Sequence, residues 1–233
     1  MGCDYLIPLV SIGGKKVFKS TKEIDFNELP KSFVIKCTHG SHMNVIVRDK
    51  TKLTRKQISS YKRQINKWLN TNYAFVVGLE LQYKNIEPRI IIEEYLDCGE
   101  QGLTDYKFFC YGGQVKFLSV NKNRGTKDYT ETYFDLNFDK LPFTLGNYTN
   151  SKDVKQPSMF SKMIDIAKTL CSDFAVVRVD LYEYEGKVYF GELTFSPGGG
   201  FEFPNPFAFD KSLGNLIQID LEKRKTVSTY RQV

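Results

Sequence analysis

Apolar residues along this chain recur with two spacings, one near every second position and one near every third or fourth. Ser32–Cys37 (S-F-V-I-K-C) and Asn44–Arg48 (N-V-I-V-R) predict two strands joined by the small, polar hairpin loop Thr38–Met43. From Thr54 to Leu69, Ile58, Tyr61, Ile65, Trp68 and Leu69 recur at helical spacing among lysines and arginines. Thr54 is the expected N-cap. The isoleucine run in Arg89–Tyr95 predicts a strand buried on both faces. Asp105–Tyr111 and Gln114–Val120 flank a Gly112-Gly113 turn and predict a hairpin. Asn121–Lys155 is rich in Asn, Lys and Thr and reads as a long loop region with short strands. Met159–Cys171 has the pattern of an amphipathic helix. Ala175–Tyr184 and Lys187–Phe195 predict a last hairpin leading into Ser196-Pro197-Gly198-Gly199-Gly200. The charged stretch after Asp220 is expected to be a frayed helix or disordered. This mixture predicts an α+β chain of mostly antiparallel sheets with helices on their faces.

Composition narrows the picture little. The chain has 233 residues, enough for one large domain or two small ones. An aromatic share of 14% agrees with strand content. A net charge of +6 favours an anionic partner such as a nucleotide, an acidic polymer or a membrane surface. No apolar run reaches the length of a membrane-spanning helix, and the start lacks the pattern of a signal peptide. Five dispersed cysteines without a Cys-x-x-Cys spacing read as reduced thiols of a cytoplasmic protein.

The chemistry concentrates in the last hairpin. Strict alternation puts Val177, Val179 and Leu181 on one face of its first strand and Arg178, Asp180 and Tyr182 on the other. On its second strand it groups Tyr189, Gly191 and Leu193 against Phe190, Glu192 and Thr194. A two-residue Glu185-Gly186 turn would mix acid with core, whereas a three-residue loop shifts the register by one. The shifted register sets Asp180 opposite Glu192 and Arg178 opposite Thr194. Two carboxylates so close repel by about 4 kcal/mol at an effective dielectric near 20. A shared proton, a basic neighbour such as Arg178 bridging both acids, or a divalent cation such as Mg²⁺ would offset that.

Five segments appear in a telling order: F-V-I-K-C-T-H-G-S-H (33–42), I-I-I-E-E-Y-L (90–96), D-Y-K-F-F-C-Y-G-G (105–113), R-V-D-L (178–181) and G-E-L-T-F-S-P-G-G-G (191–200). Together they resemble an ATP-grasp domain of the teichuronopeptide-biosynthesis (TupA-like) branch, sometimes labelled glycosyltransferases. The resemblance runs from about Tyr5 to Ile219. It implies an ATP-grasp fold with two lobes of mainly antiparallel sheet and packed helices, its N-terminal domain largely missing. Residues 1–30 would be the remnant of that N-terminal region, 31–96 the flap lobe, 97–220 the catalytic lobe and 221–233 a charged tail.

The resemblance also implies roles. Lys36 would bind phosphate, and the flap residues His39, Gly40 and Ser41 would cover the phosphates. Glu93, Glu94, Tyr95 and Leu96 would form the segment whose backbone pairs with adenine. Asp105, with Glu100 as the alternative, would accept the ribose hydroxyl. Lys107 would be a second phosphate contact and Arg178 would stabilise the transferring phosphoryl group. Asp180 and Glu192 would ligate Mg²⁺. The wider superfamily usually has Asn where Thr194 stands, so Thr194 is the third metal candidate and the point of departure.

The implied cofactors are ATP and Mg²⁺, and the implied reaction is a carboxylate–amine ligation through an acylphosphate in cell-surface polysaccharide synthesis. The implied substrates are an acidic saccharide or an amino acid. The competing functions are a glycosyltransferase, against which the absence of an Asp-x-Asp triplet stands, a kinase and a non-catalytic ATP-binding module. Other signals are read structurally. Cys37, His39 and His42 lack further ligands of matching spacing for a transition metal, and Cys37–His39 lacks an orienting group for a nucleophile. The basic helix Arg55, Lys56, Lys62, Arg63 and Lys67 reads as a solvated face rather than a nucleic-acid or membrane patch. Phe201, Phe203, Phe207 and Phe209 read as packing, with an aromatic sugar platform as the alternative.

Overall fold

The structure, a computed structural model, describes residues 2–76, 78–99 and 102–217. The chain forms two compact units, Met1–Cys98 with Gly198–Phe201, and Gly99–Pro197 with Glu202–Val233.

The first unit is a four-stranded antiparallel sheet with one long helix. Its strands are β1 (Val17–Phe18), β2 (Phe33–Cys37), β3 (Asn44–Val47) and β4 (Ile90–Glu94), in the order β1-β4-β2-β3. Helix α1 (Arg55–Leu69) starts with a capping box. The Thr54 hydroxyl accepts from the Gln57 amide, and the Gln57 side chain accepts from the Thr54 amide. Ile65 is buried, and Ile58, Tyr61, Trp68 and Leu69 pack beside it on a core that includes Phe33, Ile35, Ile90 and Ile92. Residues before Pro30 are built into that core through Phe18, Ile24, Phe26 and Leu29. The β4 isoleucines are less symmetric than their run suggests. Ile90 and Ile92 are buried while Ile91 is only half-buried, because an antiparallel sheet covered on one face leaves alternate positions open.

The second unit is a five-stranded antiparallel sheet. Its strands are β5 (Asp105–Tyr111), β6 (Gln114–Lys122), β7 (Thr130–Phe134), β9 (Val176–Tyr184) and β10 (Lys187–Thr194), in the order β10-β9-β5-β6-β7. A short β8 (Thr144–Leu145) pairs with β11 (Pro204–Asn205). The polar stretch after Asn121 thus holds a full strand, β7, whose Glu131, Thr132 and Tyr133 are buried. Helix α2 (Phe160–Cys171) covers one face of the sheet, where Phe160 stacks over Phe108 with ring centroids 6.4 Å apart. The opposite face divides into an aromatic half and a polar half. Phe109, Phe117, Tyr133 and Phe143 form the aromatic half.

The last hairpin reaches the expected pairing by a different route. Tyr184 pairs with Lys187 across a two-residue Glu185-Gly186 turn, both residues having positive φ (50° and 71°), as a type I′ turn requires. That turn alone would set Asp180 opposite position 191. Instead the ladder steps from Phe190↔Leu181 to Glu192↔Asp180, so Gly191 is the extra residue of a β-bulge. Glycine is required there, since a Cβ would lie 2.8 Å from the Tyr182 ring and 3.1 Å from the Asp180 carbonyl oxygen. The bulge also corrects the facing. Phe190 pairs with Leu181 and Tyr189 with Tyr182, so Phe190 joins the apolar face and Tyr189 the polar one. The charged tail after Asp220 lies outside the described residues.

Candidate functional site

Cross-strand pairing builds a grid on the polar half of the second sheet. One row runs Tyr182, Asp105, Asn121, Glu131 across β9, β5, β6 and β7. The next runs Glu192, Asp180, Lys107, Ser119, Tyr133 from β10 to β7. Alternation therefore brings side chains from positions 105 to 194 onto one surface.

Asp180 is its centre, with 1% of its side chain exposed. Arg178 grips it with two hydrogen bonds, Nε to Oδ1 at 2.7 Å and Nη2 to Oδ2 at 2.8 Å. Lys107 Nζ donates to Oδ2 at 2.5 Å. Burial opposes ionisation of Asp180, but Arg178 and Lys107 outweigh it and hold the carboxyl below its usual range. Arg178 Nη2 also reaches Thr194 Oγ1 at 3.0 Å and Glu192 Oε1 at 3.4 Å, and the Thr194 hydroxyl donates to Glu192 Oε1 at 3.3 Å. The arginine bridge across both acids is thus present.

The oxygens suit a hard cation as well. Asp180 Oδ1 accepts the Arg178 Nε bond, which leaves a lone pair on that oxygen, and the Glu192 side chain is 42% exposed. Among the described residues no group of three or more His, Cys, Asp or Glu side chains is placed to hold a metal. Two carboxylates completed by phosphate oxygens and water is a set Mg²⁺ accepts.

Asp105 is buried and carries two cations. Arg124 Nη1 donates to its Oδ2 at 3.1 Å, and Lys107 Nζ lies 3.6 Å from the same oxygen. Tyr182, beside it, has its phenol pushed well above the usual range by burial and by the charges of Asp105 and Asp180. Beyond them, Glu131 accepts from Asn121 Nδ2 at 3.0 Å, from Tyr129 at 2.8 Å and from the Tyr133 hydroxyl. Sequence reasoning missed Arg124, Asn121 and Glu131, and put Tyr182 on the polar face without giving it a role. The first three fall in or beside the stretch read as loop, although β6 there simply continues to Lys122.

In the first unit, Lys36 pairs with Glu93 across the sheet at 2.6 Å. His39 is buried and its Nε2–H donates to the carbonyl of Trp68, in the last turn of α1, at 2.9 Å. The same carbonyl also accepts from the Thr71 amide at 2.9 Å, so the histidine adds a second donor to the end of the helix. Gly40 lies against Tyr73, where a Cβ would come within 2.8 Å of the ring. Ser41 Oγ pairs with His42 Nδ1 at 3.1 Å. The Glu94 amide is engaged by the Pro8 carbonyl at 3.0 Å, and Tyr95 and Leu96 follow outside any strand. Glu100 lies outside the described residues.

Burial pushes the Cys37 thiol up to about 11, which withholds a nucleophilic thiolate. Cys37, Cys110 and Cys171 are buried thiols. Lys62 of the basic helix turns inward, its Nζ 5.4 Å above the Phe26 ring and 3.2 Å from the Ile24 carbonyl oxygen. Phe209 packs on Phe143 at 5.3 Å, while Phe201, Phe203 and Phe207 are exposed. No helix among the described residues is long and apolar enough to cross a membrane.

A family model described as TupA-like ATPgrasp matches residues 1–218. The chain belongs to the TupA-like ATP-grasp family. Several solved structures are similar at low identity. D-alanine–D-alanine ligase from Bacillus anthracis complexed with ATP matches with a TM-score of 0.47 and 12% identity, over 83% of this chain and 50% of that one. D-alanine–D-alanine ligase from Helicobacter pylori matches with a TM-score of 0.41 and 16% identity, over 91% and 55%. The D-cycloserine synthetase DcsG matches with a TM-score of 0.41 and 14% identity, over 82% and 57%. The chain thus spans about half the length of these solved chains. No curated protein matches it.

Proposed function

We propose that this TupA-like ATP-grasp chain is an ATP- and Mg²⁺-dependent carboxylate–amine ligase of cell-surface polysaccharide synthesis, working through an acylphosphate. The observation that carries the reading is the facing pair Asp180 and Glu192, set on one surface with Lys107 and Arg178, in a chain of this family. Mg²⁺ bound by these two oxygen donors would neutralise phosphate charge. The protein's own groups position and stabilise, which is most of what phosphoryl transfer asks of an enzyme. Arg178, held in a fixed plane by Asp180, presents its Nη2 edge towards Glu192 and Thr194, where charge would develop. Lys107 supplies a second cation beside it. Lys36 is the phosphate contact of the first unit. The segment Glu93, Glu94, Tyr95 and Leu96 supplies the backbone that pairs with adenine. The acceptor is an acidic saccharide, which a net charge of +6 suits.

Product analysis after incubation with ATP, Mg²⁺, uronates and amino acids tests this reading. ADP and inorganic phosphate formed with an amide product support the ligase, and a stable phosphorylated acceptor would make it a kinase. Calorimetry showing equal MgATP affinity in the parent and in an Asp180→Asn/Glu192→Gln variant would remove the site assignment.

A further inference from the structure

We infer that Arg124 is an anion-binding arm for the terminal phosphate of the nucleotide, and that Asp105 is its positioning residue rather than a ribose acceptor. This rests on the ATP-grasp reading of the site. Three observations carry it.

First, the Asp105 carboxylate is 4% exposed and receives two cations on one oxygen, Arg124 Nη1 at 3.1 Å and Lys107 Nζ at 3.6 Å. A buried carboxylate engaged this way is poorly placed to accept a sugar hydroxyl. Its evident work is to hold two positive groups near one another. Second, Lys107 joins this pair to the carboxylate centre, since its Nζ also lies 2.5 Å from Asp180. Charges then alternate along one surface in the order Arg124, Asp105, Lys107, Asp180, Arg178, Glu192. Third, Arg124 is the cation of that series that meets solvent. It follows β6 on the loop before β7, next to Gly125 with φ of 81°, and 47% of its side chain is exposed. Lys107 and Arg178, at 8% and 14%, are far more enclosed.

After Asp105, the Glu192 carboxylate at the far end of that series also favours the charged Arg124 guanidinium. An oxyanion approaching this row of charges from solvent therefore meets the Arg124 guanidinium before the enclosed Lys107 and Arg178. A guanidinium offers five N–H donors in a rigid fork, which matches a phosphate better than a lysine does. The same fork could take the carboxylate of an acceptor, and the test separates the two.

The test measures MgATP and MgADP affinity by calorimetry in the parent, Arg124→Gln, Arg124→Lys and Asp105→Asn. Arg124→Gln is expected to bind MgATP about 10- to 100-fold more weakly, as for loss of a charged hydrogen-bonded contact, and MgADP within about twofold of the parent. Arg124→Lys should fall between, having charge without the fork. Asp105→Asn should repeat the selective loss of MgATP, and the double variant Asp105→Asn/Arg124→Gln should be no worse than Arg124→Gln. Since Asp105 is buried, a thermal melt accompanies that variant. The exposed Arg124 keeps the inference testable if Asp105→Asn fails to fold. Equal weakening of both nucleotides overturns the assignment, as does none. No change in nucleotide binding together with slower ATP consumption would place Arg124 on the acceptor carboxylate instead. If the parent itself binds neither nucleotide, the ATP reading falls and this inference with it.

Discussion

Replacing Gly191 by alanine should damage the second unit through one residue pair. The added Cβ would sit 2.8 Å from Tyr182 Cε2 and 3.1 Å from both Tyr182 Cζ and the Asp180 carbonyl oxygen. The backbone oxygen belongs to the ladder and cannot retreat far, so the Tyr182 ring must move. Such overpacking costs about 1–3 kcal/mol. With a urea m-value of about 2–3 kcal/mol/M, the midpoint should fall by roughly 0.3–1.5 M with m unchanged. The cycle with Tyr182→Ala isolates the cause. In that background the ring contact is gone and only the 3.1 Å approach to the Asp180 oxygen remains, so Gly191→Ala should cost at least about 1 kcal/mol less. Equal cost in both backgrounds, or a cost in the parent below about 0.5 kcal/mol, the level of an ordinary surface change, would refute the account of the bulge. Deleting Gly191 gives a complementary outcome. It removes the extra residue while Phe190 can still pair with Leu181 and Glu192 with Asp180. A pair of thiols introduced by Asp180→Cys and Glu192→Cys should therefore cross-link as readily with the deletion as without it.

Three further outcomes follow from the charges and burial. Asp180→Asn leaves Arg178 and Lys107 without their buried counter-charge and should lower stability by about 3–5 kcal/mol in denaturant melts. The native Asp180 carboxyl lies below its unfolded value of about 4. Its contribution is therefore present above that value and lost as pH falls through the native one, and the urea midpoint of the parent should drop more steeply from about pH 5 to 3 than that of Asp180→Asn. Cys37 behaves oppositely, since its native value near 11 exceeds the unfolded one. The unfolded chain gives up this proton first, so stability should decline between about pH 9 and 11, less so in Cys37→Val, and iodoacetamide at about pH 8 should spare Cys37 until urea is added.

Much of this was readable from spacing alone. Helix α1 follows from the recurrence of Ile58, Tyr61, Ile65, Trp68 and Leu69, and its start from Thr54, because both are local rules. The Asp180–Glu192 pairing follows from keeping acids off the core, although the shift in register comes from a bulge and not from a longer turn. Periodicity assumes unbroken alternation, so a bulge at Gly191 inverts the facing of Tyr189 and Phe190 without any apolar pattern announcing it. A glycine inside a strand was the available signal. Strand β7, one of the short strands expected of the polar stretch, could not be placed within it for a different reason. Its Glu131 is buried by satisfying three donors from Asn121, Tyr129 and Tyr133, so its polarity reflects hydrogen bonding across strands and looks like a loop in one dimension. Arg124 was invisible because its partner, Asp105, lies 19 residues away.

The Glu185-Gly186 turn, by contrast, is exposed. The bulge lies between it and the carboxylates, and Gly186 has open space where a Cβ would go. A reporter such as a fluorophore or a short epitope could therefore be spliced into the tip of this hairpin, separated from Glu192 by residues 187–191 on one side and from Asp180 by residues 181–184 on the other. The same hairpin that fixes the chemistry thus offers a handle for watching it.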